Sequence, residues 1–368
     1  MNGKFFTQLK DSALNWHDRF ETYLPAAFFA GGFLLDVVTL GEVDDTSNIL
    51  IFSVYLSLAT VVLALELLGI NSIQTNKNWL SKGFEYREEA FHFFLGALLS
   101  AFTLFYFKSS SLASSFIFLL IMLAILLLNE TSFFKSKGII IRSILIMLAL
   151  VSYFILTIPT LVGQANVFVF ALCILSALGV CFLAFWLLKK RISNTQILLK
   201  NFFYPQVAVL IVFVLLYSFR VLPPVPLSIK SIGIFHDVIK ANGQYLALTE
   251  NPGWLFGKYG DVDFKAREGD KVYVATNIFS PAGFKGKVYL HFMLEGADGW
   301  MTSDRIPIRI WGGRQAGFRG YAYKENYTPG NWQVRVETDE GLEIGRINFE
   351  ISPDTRDVKE RTFRKIKL

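Results

Sequence analysis

Four histidines and a scatter of carboxylates are the residues whose types suit metal or acid–base chemistry. The densest polar cluster beside an apolar stretch is Glu85, Glu88, Glu89 and His92. Glu89-Ala-Phe-His92 has the Glu-x-x-His spacing of carboxylate-bridged di-iron bundles, which puts both ligands on one helix face. Such a site takes a second Glu-x-x-His and two further helical Glu residues. His17, His236 and His291 all lack an acidic residue three positions earlier. The cluster therefore reads as a solvated helix entry with an i,i+4 contact between Glu88 and His92. His236-Asp237 and His291 lie in strand-like stretches, and no serine or cysteine sits in a Gly-x-Ser-x-Gly context. His291 reads as a strand residue whose tip is hydrogen-bonded or wet. No catalytic constellation and no cofactor or metal site is expected.

Three charges, Asp36, Glu66 and Arg142, fall within apolar runs, where an ionisable residue is a functional candidate by default. Their depth argues otherwise. Each lies about one helical turn from the end of its run, where a side chain reaches the interface at little cost. Glu66 and Arg142 share a depth and can pair. They are carried forward as candidate intramembrane polar residues, and a structural role is the expectation.

The elements that must position these residues follow from composition. Of the 368 residues 53% are hydrophobic, 18% are charged and 36 are Phe. Soluble proteins run nearer a quarter charged. With a mean hydropathy of +0.42, the chain reads as an integral membrane protein with a soluble appendage. Seven apolar runs approach the roughly 20 residues a spanning helix needs: about 24–40, 49–70, 91–107, 112–128, 139–158, 166–188 and 203–219. The polar stretch before the first is too long for a cleaved signal peptide. Within it, residues 1–23 place Phe5, Leu9, Ala13, Trp16, Phe20 and Tyr23 at helical spacing, the pattern of an amphipathic helix on a membrane surface.

Charge sets the orientation. One set of loops carries Lys4, Lys10 and Arg19, then Lys77, Lys82 and Arg87, then Lys135 and Lys137, then Lys189, Lys190, Arg191 and Lys200. The alternate loops carry only Lys108, and one is acidic at Glu42, Asp44 and Asp45. Cytoplasmic loops hold the excess of Lys and Arg, so the N-terminus is expected in the cytoplasm and everything after Arg220 outside. In a Gram-negative inner membrane that is the periplasm. The net charge of +6 is thus spent on orientation rather than gathered into a patch for nucleic acid. Cys173 and Cys181 lie on one apolar run, about 12 Å apart along a helix and too far for a disulfide.

After Val221-Leu-Pro-Pro-Val-Pro226, which ends the last helix, the hydrophobic period changes to two. Lys271–Ser280, Lys287–Leu294, Arg305–Ile310, Gly317–Tyr323, Asn331–Thr338 and Glu343–Ile351 alternate, with turn signals such as Pro329-Gly330 and Asp339-Glu-Gly341 between them. The organisation expected is an α-helical multi-pass membrane bundle of about seven spans over 24–225, followed by an all-β antiparallel sandwich over 226–352. Residues 353–368 read as a basic flexible tail.

Asn331-Trp-Gln-Val-Arg-Val-Glu-Thr-Asp-Glu-Gly341 followed by Gly345-Arg-Ile-Asn-Phe-Glu-Ile351 resembles the C-terminal hairpin of a bacterial family known as domain of unknown function 2914. Val288-Tyr-Leu-His-Phe-Met293 and Gly317–Tyr323 resemble its preceding elements. The resemblance covers residues 271–351. In that family the His is typically followed two residues later by Trp, whereas Met293 stands there in this chain. The resemblance implies an architecture, several spans ahead of such a domain, and no reaction.

The β region is rich in aromatic and Arg residues: Trp254, Trp300, Trp311, Phe318, Tyr321, Tyr323 and Trp332 beside Arg305, Arg309, Arg314 and Arg319. Exposed aromatic faces flanked by Arg suit sugar rings or a protein partner. Trp332 is assigned to the core. Trp300, Trp311 and Arg314 are the candidate binding residues because they adjoin turns. The function expected is a non-enzymatic inner-membrane protein, in contact with the lipid bilayer, that presents a β domain to an envelope protein or glycan. The alternative is a transporter or membrane-embedded enzyme working through the bundle, which requires Asp36, Glu66 or Arg142 to face a shared polar cavity.

Overall fold

The computed structural model describes residue 36 and residues 40–69, 86–129, 138–241, 244–251, 254–255, 258–312, 317–357 and 360–368. The expected surface helix over 1–23, most of the first span, the basic loops after residues 69 and 129, and Arg314 lie outside them.

Six apolar helices follow the acidic segment: α1 Thr46–Leu67, α2 Arg87–Lys108, α3 Leu112–Asn129, α4 Ile139–Val162, α5 Val167–Lys189 and α6 Thr195–Ser218. Five of them, all but α3, are long and apolar enough to cross a membrane, against the seven spans expected. Local chemistry sets their ends. The Asp45 side chain accepts from the Ser47 N–H to start α1, and Asn166 accepts from the Val169 N–H to start α5. Gly163, at φ 71°, closes α4 in the left-handed conformation that glycine adopts without strain. Inside α6 a wide turn over Leu199–Phe203 precedes Pro205, whose missing N–H would interrupt the regular ladder. α2 and α4 are buried along most of their length, whereas α1, α5 and α6 leave most of their apolar surface open. Leu50, Val54, Leu175, Phe182, Ile211 and Val212 are among the large side chains left exposed, a surface suited to lipid rather than water.

The strand-rich region contains two five-stranded sheets, β10-β7-β1-β5-β4 (β4 being Trp254–Leu255) and β6-β12-β11-β8-β9, and a three-stranded sheet, β13-β3-β2. The pairs that matter below are β1 Ser228–Phe235 with β7 Val272–Phe279, β7 with β10 Phe318–Lys324, and β8 Lys285–Gly296 with β9 Gly299–Trp311 and β11 Gly330–Thr338. β11 also pairs with β12 Glu343–Pro353, and all five pairings are antiparallel. Two short strands depart from the wholly antiparallel expectation. β5 Lys258–Gly260 runs parallel to β1, and β6 Asp263–Ala266 runs parallel to β12. The two large sheets share one core, with Ile232, Ile234 and Val274 from one and Leu290, Phe292, Val334 and Ile347 from the other. Trp332 is in that core as assigned, and its indole N–H donates to the Thr328 carbonyl.

The C-terminal stretch differs from the flexible tail expected. Arg364–Lys367 forms β13, antiparallel to β3 Gln244–Thr249, which also pairs with β2 Asp237–Ala241. Ile366 packs with Phe235, Val238 and Ala247 in a small core of its own. The physical reason is ion pairing. Arg356 binds Glu250 and Asp354, and Arg361 binds Glu250 and Asp270, so two guanidiniums of the stretch are held against carboxylates, while Arg364, Lys365 and Lys367 stay exposed.

The β region rests on one end of the bundle. Lys285 donates its backbone N–H to the Gly163 carbonyl at 2.9 Å, Ala282 to the Asp44 carboxylate at 3.1 Å, and Val167 to the Glu340 carboxylate at 3.3 Å. Lys230 pairs with Glu42 at 3.0 Å. A cavity of about 30 Å³ lies in the seam between Pro159, Asn166 and Tyr217 of the bundle, Pro224, and Leu342 of the β11–β12 turn.

Candidate functional site

Trp300 and Trp311 stand near opposite ends of β9, eleven residues and roughly 35 Å apart. They cannot form one recognition surface. Trp311 is 66% exposed and Trp300 half-buried.

A different aromatic surface is assembled by strand register on the outer face of the first sheet. Ser231, Asn277 and Arg319 lie side by side across β1, β7 and β10. The next row on that face is Gly233, Ala275 and Tyr321, and the next is Phe235, Tyr273 and Tyr323, of which Phe235 is buried beneath the small sheet. Intervening residues such as Ile234, Val274 and Ala322 point into the core. Gly233 and Ala275 leave a shallow hollow, and a Cβ on Gly233 would meet the Phe235 ring at 2.5 Å. Tyr245, Tyr259 and Tyr321 wall it, and Arg319 and Asn277 close one end. Tyr273 lies 5.3 Å from Tyr323 and 6.1 Å from Tyr321 between ring centroids, and the Lys271 ammonium sits 4.8 Å over Tyr323. The Arg319 Nε is buried and has no hydrogen-bond partner among the described residues. An aromatic wall beside a guanidinium with an unused donor can stack on a flat ring face and bind its polar edge. The alternation in Lys271–Ser280 and Gly317–Tyr323 already put Tyr273, Asn277, Arg319 and Tyr321 on one side of their strands. Sequence could not show that the two strands are neighbours, or that Gly233 of β1 comes to lie beside Ala275 of β7.

The other histidine-bearing clusters are closed. His236 Nδ1 accepts from Arg361 at 2.8 Å, which leaves the ring proton on Nε2, 3.6 Å from Asp261. The ring stacks on Phe264 at 4.1 Å and lies 5.0 Å from Phe363. Burial, reinforced by the Arg361 charge, pushes its pKa down to about 4. Burial pushes the Asp261 carboxyl up, although it accepts the Glu250 and Asn251 N–H groups. The junction fastens the C-terminal strand, and its imidazole has no free face for a substrate. His291 is hydrogen-bonded at both nitrogens, to the Glu337 carboxylate at 3.2 Å and the Thr302 hydroxyl at 2.9 Å.

In the bundle, Arg142 donates to Glu66 at 2.6 Å and to Glu88 at 3.3 Å, joining α4 to α1 and α2. Glu88 is thereby turned from the expected contact with His92, which is buried and faces Asn129 of α3 at 3.2 Å. Asp36 instead accepts from Ser100 at 2.6 Å. Ser100 is twelve residues, or about 18 Å, along α2 from Glu88, so Asp36 does not converge with Glu66 and Arg142. No group of three metal-binding side chains occurs among the described residues.

Comparison with known proteins gives little beyond the β region. No curated protein matches this sequence. Among solved structures, the Pseudomonas fluorescens alkylpurine DNA glycosylase AlkC, bound to DNA containing an abasic site analog, aligns at 14% identity. The alignment covers 85% of this chain and 99% of that one with a TM-score of 0.19, too low to carry any argument about fold or function. Residues 285–351, which begin with β8 and end within β12, match the family described as protein of unknown function (DUF2914), the family that the Asn331–Ile351 hairpin resembles.

Proposed function

We propose that this chain is a multi-pass protein of the bacterial inner membrane that holds a β-sandwich domain in the periplasm, where it binds an envelope glycan or protein without transforming it. The observation that carries the reading is the charge of the two bundle ends. Glu42, Asp44 and Asp45 lie at the end that meets the β region, where Lys108 and Arg220 are the basic residues at the described helix ends. Arg87, Lys189, Lys190 and Arg191 lie at the other. Positive residues stay in the cytoplasm, so the β region belongs outside.

Binding is favoured over bundle chemistry because the bundle charges line no shared cavity among the described residues, Arg142 being held by Glu66 and Glu88 and Asp36 by the Ser100 hydroxyl about 18 Å away along α2, whereas the tyrosine-walled hollow gathers aromatic faces beside the Arg319 guanidinium. That combination suits a sugar ring resting on the tyrosine faces rather than inside the hollow, which admits only about 10 Å³. Two measurements test the proposal. An enzymatic reporter that works only in the periplasm is expected to be active when fused after Leu368, and activity of a cytosolic reporter there would overturn the topology. Full-length protein in detergent is expected to be retained by envelope glycan. Tyr321→Ala and Arg319→Ala should each lower retention about tenfold, as loss of a central anchor does. Retention that neither change lowers would remove the hollow as the site.

A further inference from the structure

Trp311 lies outside the hollow, and its position gives it a different partner. It sits directly opposite Lys285 in the β8–β9 register. The Lys285 N–H is bonded to Gly163, the residue that ends α4. Trp311 is therefore one cross-strand step, about 5 Å, from a residue that is itself hydrogen-bonded to the end of a candidate span. Leu161, Val162, Val167 and Phe168, on either side of that turn, are all strongly exposed apolar residues. The outward alternation of the two strands adds Lys287 and Arg309, paired with each other, to the face that carries Lys285 and Trp311. Lys285, Lys287 and Arg309 are in no ion pair among the described residues. The neighbouring acidic groups are occupied: Glu337 faces His291 and Arg305, and Glu340 accepts the Val167 N–H.

We infer that Trp311, Lys285, Lys287 and Arg309 form a lipid-contact site, with the indole in the headgroup layer and the three cations on anionic phospholipid phosphates. An indole has an apolar body and one N–H, which suits the membrane–water interface, and cations beside it are drawn to anionic headgroups. Trp186 gives the counterpart at the other end of the bundle, 47% exposed on α5 with the Lys190 ammonium 3.2 Å from its ring centroid. The inference rests on the membrane reading of the helices, and its test separates the two.

Full-length protein is reconstituted into phosphatidylcholine vesicles with brominated acyl chains, with and without phosphatidylglycerol, and tryptophan quenching is measured. Trp186→Phe and Trp311→Phe are each expected to lower the quenchable fraction. Phosphatidylglycerol should raise the Trp311 share in a salt-sensitive way, and the Lys285→Gln/Lys287→Gln/Arg309→Gln variant should lose most of that rise. Loss with Trp186→Phe but none with Trp311→Phe overturns the lipid site and leaves the membrane reading standing. If neither substitution changes the quenching, both fall. A Trp311 signal indifferent to phosphatidylglycerol and to the triple substitution overturns the anionic headgroup assignment.

Discussion

Arg142 shows what a charge inside an apolar helix does when it is paired. Its side chain is 7% exposed and reaches carboxylates on two other helices, so removing it strands Glu66 at 24% exposure. Breaking a buried pair from one side costs more than the pair contributes, about 3 kcal/mol. Arg142→Ala should therefore lower the thermal stability of the purified protein strongly, and Glu66→Gln less, since Glu88 still meets the guanidinium. Equal, small losses would mean the cluster is wetter than its burial suggests. The pairing of Glu66 with Arg142 was legible from their common depth. The third partner was not, because Glu88 precedes its apolar run and gave no sign of turning toward another helix. His236 yields a pH prediction of definite sign. Its folded pKa of about 4 lies below the ordinary 6.5, so between those values the unfolded chain binds the extra proton. Stability is full above pH 6.5 and declines as pH falls toward 4, by up to about 3 kcal/mol. The raised pKa of Asp261 offsets part of that loss at the acid end. Melting temperatures of full-length protein between pH 7 and 5, above most carboxylate titrations, should slope for the wild type and flatten in His236→Phe.

Strands and helices were legible to different degrees. The apolar runs gave the described helices closely because burial or lipid contact on every side demands an unbroken apolar stretch. α6 begins earlier than its run since Asn194 caps it and Thr195–Phe203, although its apolar pattern is interrupted by Lys200 and Asn201, is helical. The strands from Val272 to Pro353 followed their alternation. The strands before them are mostly short, and β5 and β6 pair in parallel with partners far along the chain, which no local period encodes. β13 was missed for the same reason. Its alternation of Arg364, Lys365, Ile366 and Lys367 looks like a solvated end until β3 and the Arg361 junction are beside it. A chain stopped after Asp357 should leave the β3 edge bare and Asp270 without Arg361. Limited proteolysis is expected to cut this β region readily, while the Lys365→Ala/Lys367→Ala protein, altered only at exposed positions, resists like the wild type. Equal resistance of the truncated protein would make β13 an ornament.

At the scale of the molecule, the loop at Glu42, Asp44 and Asp45 serves two physical ends at once. Glu42 and Asp44 hold the β region through Lys230 and the Ala282 N–H, and Asp45 starts α1. Together they also give one end of the bundle a cluster of negative charge. Composition made the charge asymmetry visible, but the docking was hidden, since its partners are as many as 238 positions away. The two roles separate under substitution. Neutral Glu42→Gln/Asp44→Asn removes the docking charges and leaves the loop free of Lys and Arg. The C-terminal reporter should then stay in the same compartment while proteolysis in the exit segment Arg220–Pro226 increases. Glu42→Lys/Asp44→Lys adds positive charge to the loop and opposes the orientation proposed from the remaining basic loops. A fraction of chains should then carry the reporter on the opposite side, read as a mixed signal from paired periplasmic and cytosolic reporters. An unmixed signal, with proteolysis unchanged in both proteins, would mean that the acidic loop neither orients the bundle nor secures the β region.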